Sequence, residues 1–211
     1  QKCAGVAAGC RSGISLKKLF LKMIASIVEE IFELYEQKGH LEYGENVSQL
    51  QHAIQAAELA FSTGHDDATV LAAFLHDIGH LLDETGELSM GDFGTVRHES
   101  IGANFLRKKG FSEKIARLVE GHVEAKRYMT FKFPEYYDRL SEASKKTLEY
   151  QGGKMNNFEA RDFESNYLFE DCLRLRIWDD EAKKTGAQTG DLQWLKEIMY
   201  RHLDAQPIEI D

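Results

Sequence analysis

The chain has 211 residues, of which 43% are hydrophobic and 29% are charged, a composition typical of a globular protein with one substantial core. Its formal net charge of −9 argues against nucleic acid or an anionic membrane as the main partner, whereas a local basic pocket would still admit a small anionic ligand. The three cysteines, Cys3, Cys10 and Cys172, match no zinc or redox spacing, so we expect a reducing, cytoplasmic compartment.

The first fifteen residues differ in composition from the rest of the chain. The first residues, QKCAGVAAGC, are small and unpatterned, so we expect residues 1–15 to be disordered or to have been added for expression. We expect residues 16–211 to form a single domain, present as a monomer or a weak homodimer. The apolar residues between 14 and 31 are interrupted by lysines and glutamates, which predicts an amphipathic helix rather than a membrane span.

The first part of the chain predicts three helices. Apolar residues at helical spacing predict the first over residues 16–37. Ser48 is expected to cap a second helix, which carries His52 and ends near residue 62. The third is expected over residues 68–82, and its nearly continuous apolar run VLAAFLHDIGHLL predicts a position at the centre of the core.

The rest of the chain is predicted to be helical apart from two segments: residues 83–95, which are polar and which we expect to be mobile, and an aromatic segment around Pro134, which we expect to form a loop or short turn. The expected helices cover residues 98–109, 112–126, 140–150, 156–184 and 192–203, and the expected loop covers 128–137. The inward-facing residues of the long helix are expected to be Phe158, Phe163, Leu168, Leu173 and Ile177. Since no segment of useful length alternates with period two, the sequence predicts an all-α fold.

The pentapeptide His76-Asp77-Ile78-Gly79-His80 is the strongest chemical signal in the chain. Adjacent residues on a helix diverge by roughly 100°, so the imidazole of His76 and the carboxylate of Asp77 can serve two different centres. Burying a carboxylate in so apolar a helix costs on the order of several kcal/mol unless a cation accompanies it. The segment therefore predicts a metal centre.

Further residues of the types that bind metals are spread along the chain. They are His52, His98, His122 and Asp179. Together with His76 and Asp77 they suffice for two metal ions, and His80, one turn after His76, is either a further ligand or a hydrogen-bond donor facing the substrate. Imidazole and carboxylate ligands without a thiolate suit iron, manganese or zinc, and composition does not choose among these metals.

This run of ligands resembles the HD superfamily, and more closely its mixed-valence diiron oxygenases: the PhnZ-type organophosphonate oxygenases and, more remotely, myo-inositol oxygenase. The resemblance extends from Tyr43 to Asp180 and rests on the segments YGENVSQLQHA, AAFLHDIGHLL, GHVEAKRY, LSEASKKTLEYQGG and LRIWDDEAK. It implies an HD-domain helical bundle with a diiron site in its core.

The resemblance also implies a role for each ligand. One iron would be held by His52, His76, Asp77 and Asp179, and the other by His98, His122 and Asp77, which would bridge the two. His80 would be a base or hydrogen-bond donor to the bound substrate, Tyr43 would cap the vacant iron position, and Glu45 would help to release that tyrosine when substrate arrives. The expected contacts to the substrate are Gln51, His80, Lys126, Ser144, Thr147 and Arg176.

The reaction implied by the resemblance is the O2-dependent cleavage of the C–P bond of a small 1-hydroxyalkylphosphonate, which releases phosphate and a carboxylic acid. The irons would alternate as an Fe(II)/Fe(III) pair, with O2 as the co-substrate. Aminoethyl, trimethylammonioethyl and hydroxymethyl phosphonates all offer the same chelating head, so the substituent stays open. Two alternatives remain: an HD-type phosphohydrolase that activates water against a phosphate ester, and a non-catalytic diiron or redox-sensing module.

Overall fold

A computed structural model of the chain describes residues 16–82, 89–186 and 190–207. Within these ranges the chain forms eleven α-helices, one short 3₁₀-helix at Gly91–Phe93 and a single β-bridge between Ser89 and Thr95. The helices are α1 (Leu16–Lys38), α2 (Gln49–Ser62), α3 (Asp67–Leu75), α4 (Gly79–Leu82), α5 (His98–Lys108), α6 (Glu113–Lys132), α7 (Pro134–Arg139), α8 (Glu142–Tyr150), α9 (Asn157–Glu164), α10 (Phe169–Glu181) and α11 (Gln193–Asp204). The predicted all-α fold is confirmed.

The predicted helix starts are visible as side-chain caps. Ser48 and Gln51 form a capping box at the start of α2: the Ser48 hydroxyl accepts from the Gln51 amide, and the Gln51 side chain accepts from the Ser48 amide. A carboxylate oxygen of Asp66 accepts from the amide of Thr69 at 2.9 Å and thereby caps α3. Both caps satisfy backbone donors that have no partner inside their helix.

Helix α3 lies at the centre of the molecule. It packs against α2, α6, α10 and α11, and its residues Thr69–Leu75 are all buried. The hydroxyl of Tyr35 on α1 donates to the carbonyl of Phe74 at 2.8 Å. One apolar cluster extends from Ile24 on α1 to Leu203 on α11, so the described helices share a core. The predicted extension over residues 1–15, and residues 83–88 of the segment expected to be mobile, lie outside the described residues.

The helix predicted over residues 68–82 is interrupted at the metal-binding motif, which corrects the prediction. Helix α3 ends at Leu75 and α4 begins at Gly79. Between them, amides bond to the carbonyl three residues back rather than four, as in Ile78 N–H to Leu75 O and His80 N–H to Asp77 O. Gly79 lies so close to the backbone of His98 that a Cβ atom there would overlap the His98 carbonyl oxygen. This close approach brings the motif against the start of α5.

The aromatic segment predicted as a loop over residues 128–137 is helical, so that prediction is wrong. Helix α6 continues to Lys132, and α7 begins at Pro134. Pro134 occupies the first turn of α7, where the amide hydrogen that proline lacks would have no helical partner in any case. The aromatic residues around it lie on helix faces.

The long helix predicted over residues 156–184 is two helices, α9 and α10, separated by residues 165–168. The side chain of Asn166 accepts from the amide of Leu168 at 3.0 Å and competes with the helical hydrogen bonds there. Because the break changes the orientation of the faces, two expected inward residues point outward: Phe158 is 84% exposed and Ile177 is 42% exposed. Within the described ranges, no helix is long and apolar enough to cross a membrane.

Candidate metal centre and substrate cavity

The structure brings the six predicted metal-binding residues together in the core. His52 is on α2, His76 and Asp77 are in the turn after α3, His98 opens α5, His122 is on α6 and Asp179 is on α10. They form two groups, His52 with His76 and Asp179, and Asp77 with His98 and His122. Within each group the candidate ligand atoms lie within 4.8 Å of one another, close enough to share one ion.

Asp77 connects the two groups through its two carboxylate oxygens. Its Oδ2 lies 3.6 Å from Nε2 of His52 and 3.5 Å from Nε2 of His76. Its Oδ1 lies 3.3 Å from Nε2 of His98 and 3.5 Å from Nε2 of His122. One oxygen therefore faces each group, which is the arrangement that a bridging carboxylate requires.

Each imidazole is oriented by a hydrogen bond from Nδ1 to a backbone carbonyl. The carbonyls are those of Ala182 for His52 at 2.9 Å, Ala73 for His76 at 2.8 Å, Thr95 for His98 at 3.3 Å and Val119 for His122 at 2.6 Å. Because Nδ1 carries the proton in this tautomer, Nε2 presents a lone pair to the site.

The lone pairs of these imidazoles face one another in pairs. The Nε2 atoms of His52 and His76 are 3.0 Å apart, and those of His98 and His122 are 3.1 Å apart. Two lone pairs at this distance repel unless a cation lies between them. The donor set, with its two carboxylates and no thiolate, therefore fits two metal ions of the iron, manganese or zinc type.

The electrostatics of the site favour positive charge. Burial alone would lower the pKa of His76, but the carboxylates of Asp77 and Asp179 outweigh burial and raise the pKa to about 9. Burial would likewise raise the pKa of both carboxyl groups, yet His76 holds that of Asp77, and Arg176 that of Asp179, well below the usual range. Both carboxylates are ionised and available as ligands.

His80 lies beside the metal-binding residues. Its ring stacks on that of His98 with 4.0 Å between centroids, and its Nδ1 accepts from the amide of Thr95 at 2.8 Å. Burial and the neighbouring His98 hold the pKa of His80 well below its ordinary value, so the ring is neutral and carries its proton on Nε2. Gly94, at φ 88°, has no Cβ atom that would collide with this ring.

Five of the six metal-binding residues, all but His76, line a small cavity of about 60 Å³ together with His80 and three cationic side chains: Lys126, Arg176 and Lys183. The ammonium group of Lys126 donates to the hydroxyl of Thr147 at 2.9 Å, and Lys126 is only 4% exposed. Burial, followed by the positive charge of Arg176, lowers the pKa of Lys126 to about 7. Ser144, whose carbonyl accepts from Thr147, lines the same wall.

Arg176 is held between two carboxylates. Its guanidinium group pairs with Asp179 and Asp180, and its Nε also donates to the hydroxyl of Tyr136 at 2.8 Å. Arg176 thus contacts a candidate metal ligand directly and lines the cavity at the same time. By contrast, within the described ranges Lys126 forms no ion pair, which leaves it as a buried cation suited to an incoming anion.

Tyr43 and Glu45 also line the cavity. The hydroxyl of Tyr43 lies 3.4 Å from the carbonyl oxygen of His80, and its ring packs on the His80 ring at 5.0 Å. The carboxylate of Glu45 accepts from the Ser141 hydroxyl at 2.6 Å and from the ammonium group of Lys183 at 2.8 Å. Both side chains are therefore positioned to contact a ligand bound in the cavity.

Among the described residues, Gln51 is the one predicted substrate contact that does not line the cavity, and the predicted metal ligand His76 is fully buried and does not line it either. The side chain of Gln51 is used in the capping box with Ser48, because residue 51 lies about 100° around the helix from His52. Gln49, three residues before His52, is on the same helix face and lines the cavity. This i, i+3 spacing is a signal that the sequence carries and that our prediction missed.

Two further polar residues of the cavity were not predicted. Lys183 lies four residues after Asp179, at the end of the segment LRIWDDEAK that carries the resemblance. Gln151 follows α8 within the segment LSEASKKTLEYQGG, and both polar atoms of its side-chain amide are buried without a hydrogen-bond partner among the described residues. Both residues therefore lie in segments that carry the resemblance, a signal that our prediction did not use.

Comparison with known proteins agrees with this geometry. Residues 49–162, more than half of the chain, match the HD domain family. An uncharacterized protein of Acanthamoeba polyphaga mimivirus is 42% identical over 185 residues, which cover 87% of this chain and 84% of the viral protein.

Two relatives have names that describe an activity. The 1-hydroxy-2-(trimethylamino)ethylphosphonate dioxygenase (glycine-betaine-forming) of Leisingera caerulea is 37% identical over 180 residues, covering 85% of this chain and 91% of that enzyme. The hydroxymethylphosphonate dioxygenase of Gimesia maris is 40% identical over 167 residues, covering 79% and 83% respectively. The chain therefore belongs to the HD-domain family, within the group that includes these phosphonate dioxygenases.

Proposed function

We propose that the protein is a non-haem diiron oxygenase that uses O2 to cleave the C–P bond of a small 1-hydroxyalkylphosphonate. The products would be inorganic phosphate and a carboxylic acid, which together take up both oxygen atoms of O2. The observation that carries the proposal is a pair of donor groups joined by Asp77, beside the buried cation Lys126. The names of the two phosphonate dioxygenases support the substrate class.

His52, His76 and Asp179 would hold one iron, His98 and His122 the other, and Asp77 would bridge them. When bound, a mixed-valence Fe(II)/Fe(III) pair supplies the redox capacity for O2 and the Lewis acidity that lowers the pKa of the substrate hydroxyl. The residues around the pair bind and orient the substrate and exclude water.

Lys126 would bind the phosphonate group, with the hydroxyl groups of Thr147 and Ser144 as neutral partners on the same wall. An arriving dianion raises the pKa of Lys126 from about 7 and so restores its full charge. Arg176 would orient Asp179 and add positive potential, since most of its guanidinium group is engaged by protein carboxylates.

His80 would donate a hydrogen bond from its Nε2 to an oxygen atom of the bound substrate, since its Nδ1 is occupied as an acceptor from Thr95. Its low pKa keeps it a neutral donor rather than a cation. Tyr43, packed against His80, would cap the vacant metal position before substrate arrives. Glu45 would help to release Tyr43 when the substrate enters the cavity. Both roles are proposals that follow from the position of these side chains in the cavity.

The decisive experiment measures phosphate release and O2 consumption by the iron-loaded protein with hydroxymethylphosphonate, in air and under nitrogen. We expect phosphate to appear only in air, with one O2 consumed per phosphate. A matched phosphate ester serves as the control substrate. Oxygen-independent release of phosphate from the ester, with no reaction of the phosphonate, would instead support the HD-type phosphohydrolase.

We further propose that residues 16–211 act as one domain, as a monomer or weak homodimer in the cytoplasm, without a nucleic-acid or membrane partner. The shared apolar core of the described helices supports the single domain. The acidic net charge of −9 supports the absence of a nucleic-acid partner. Sedimentation at several protein concentrations measures the oligomeric state directly.

A further inference from the structure

Glu45 and Lys183 both line the cavity and form an ion pair with each other. The ammonium nitrogen of Lys183 lies 2.8 Å from a carboxylate oxygen of Glu45 and 3.1 Å from the hydroxyl of Ser144. The two charged side chains are 19% and 22% exposed, so solvent screens their attraction only in part. Glu45 is thereby neutralised before any ligand enters.

No other acidic group among the described residues of the cavity is available to a cationic substituent. Besides Glu45, the lining carboxylates are Asp77 and Asp179, and both face the metal-binding histidines. Lys126, Arg176 and Lys183 add three positive charges to the same walls. A substituent carrying an ammonium group would therefore meet repulsion, or would have to displace Lys183 from Glu45.

The cavity is also small and has few aromatic walls. Its volume of about 60 Å³ accommodates only a few water molecules, at roughly 10–15 Å³ of such space for each. Recognition of a quaternary ammonium group typically uses several aromatic faces around the cation. Here the only phenyl or phenol rings among the described lining residues are those of Tyr43 and Phe93, and the Tyr43 ring already packs on His80.

We propose that the preferred substrate is a 1-hydroxyphosphonate with a small, uncharged substituent, hydroxymethylphosphonate itself being the simplest, and that Lys183 is the specificity-determining residue. This inference rests on the proposed function and refines it. Lys183 would act by holding Glu45, so that a cationic substituent is rejected through the loss of an existing ion pair rather than by a steric clash alone.

The test compares the binding of two ligands to the iron-loaded protein under nitrogen, where no turnover occurs. Calorimetry gives the dissociation constants of hydroxymethylphosphonate and of 1-hydroxy-2-(trimethylammonio)ethylphosphonate. We expect the wild-type protein to bind the first at least about tenfold more tightly, the scale of one charge-assisted hydrogen bond. Lys183→Met should narrow this ratio by about tenfold, because Glu45 is then available to the cation.

Lys184→Met is the matched control, because it removes the same charge from the neighbouring, exposed position, whose described contacts to Gln55 are made by backbone atoms. Its selectivity should equal that of the wild type. Tighter binding of the cationic ligand by the wild-type protein overturns the specificity inference and leaves the proposed function standing, as does a ratio unchanged by Lys183→Met. If neither phosphonate binds, the proposed function fails and the inference fails with it.

Discussion

Replacing Lys126 by methionine tests the anion-binding part of the cavity, because it removes the charge and retains most of the apolar stem. Lys126 is 4% exposed and donates to Thr147 at 2.9 Å, so its ammonium group is held in place before the anion arrives. A charge-assisted hydrogen bond is worth about 1.5–3 kcal/mol, which corresponds to about 10- to 100-fold in affinity. Because the pKa of Lys126 is about 7, about half of the molecules must take up a proton on this lysine when the anion binds at neutral pH. This requirement lowers the expected affinity by only a factor of about two.

We therefore expect Lys126→Met to bind hydroxymethylphosphonate about 10- to 100-fold more weakly under nitrogen, with its iron content unchanged. Calorimetry and metal analysis on the same preparation measure both quantities. Lys184→Met again removes one lysine from an exposed position and should bind like the wild type. Wild-type affinity in Lys126→Met at full iron content would refute the role that we assign to this cation.

Three further outcomes are expected. Asp77→Ala should lose both metal ions, because its two oxygens face the two donor groups, and metal analysis that finds one ion retained contradicts the bridge. Above pH 7 the affinity for the phosphonate should fall by about tenfold per pH unit, since the pKa of Lys126 rises from about 7 on binding. Lys126→Met should lack this fall, as pH-resolved calorimetry can show. Gly79→Ala should destabilise the protein by about 1–3 kcal/mol, or roughly 2–4 °C in Tm per kcal/mol, because its Cβ would overlap the His98 carbonyl, whereas Gly190→Ala, with only an ordinary contact nearby, should leave Tm unchanged.

The sequence was sufficient to predict the helical class and the candidate ligands, because both can be recognised from residue types and their spacing along the chain. Apolar periodicity and N-cap residues such as Ser48 and Asp66 located the starts of α2 and α3 to within a residue. The six candidate ligands were recognised as widely spaced histidines and aspartates, several of them in apolar segments, and the structure brings them together. Their roles as ligands remain a prediction until metal is measured.

The errors arose where tertiary contacts override local preference. The break between α3 and α4 accompanies the approach of Gly79 to His98, a contact between segments that no periodicity records. Phe158 was expected to face inward because the helix was drawn without the interruption near Asn166. The ion pair of Lys183 with Glu45 joins residues 138 positions apart. Charged side chains on polar segments are normally solvated, so no local pattern predicts that these two form a pair.

The short segment 182–184, just beyond α10, contacts both the metal centre and the substrate cavity, but it does so through different atoms. Its backbone orients α2: the carbonyl of Ala182 accepts from His52 at 2.9 Å, and the amide and carbonyl of residue 184 both bond the side chain of Gln55. Only a side chain, that of residue 183, reaches Glu45. Backbone contacts persist whatever residues occupy these positions, so substitutions at 183 can retune the ligand that the cavity accepts while the geometry of the metal centre is inherited unchanged.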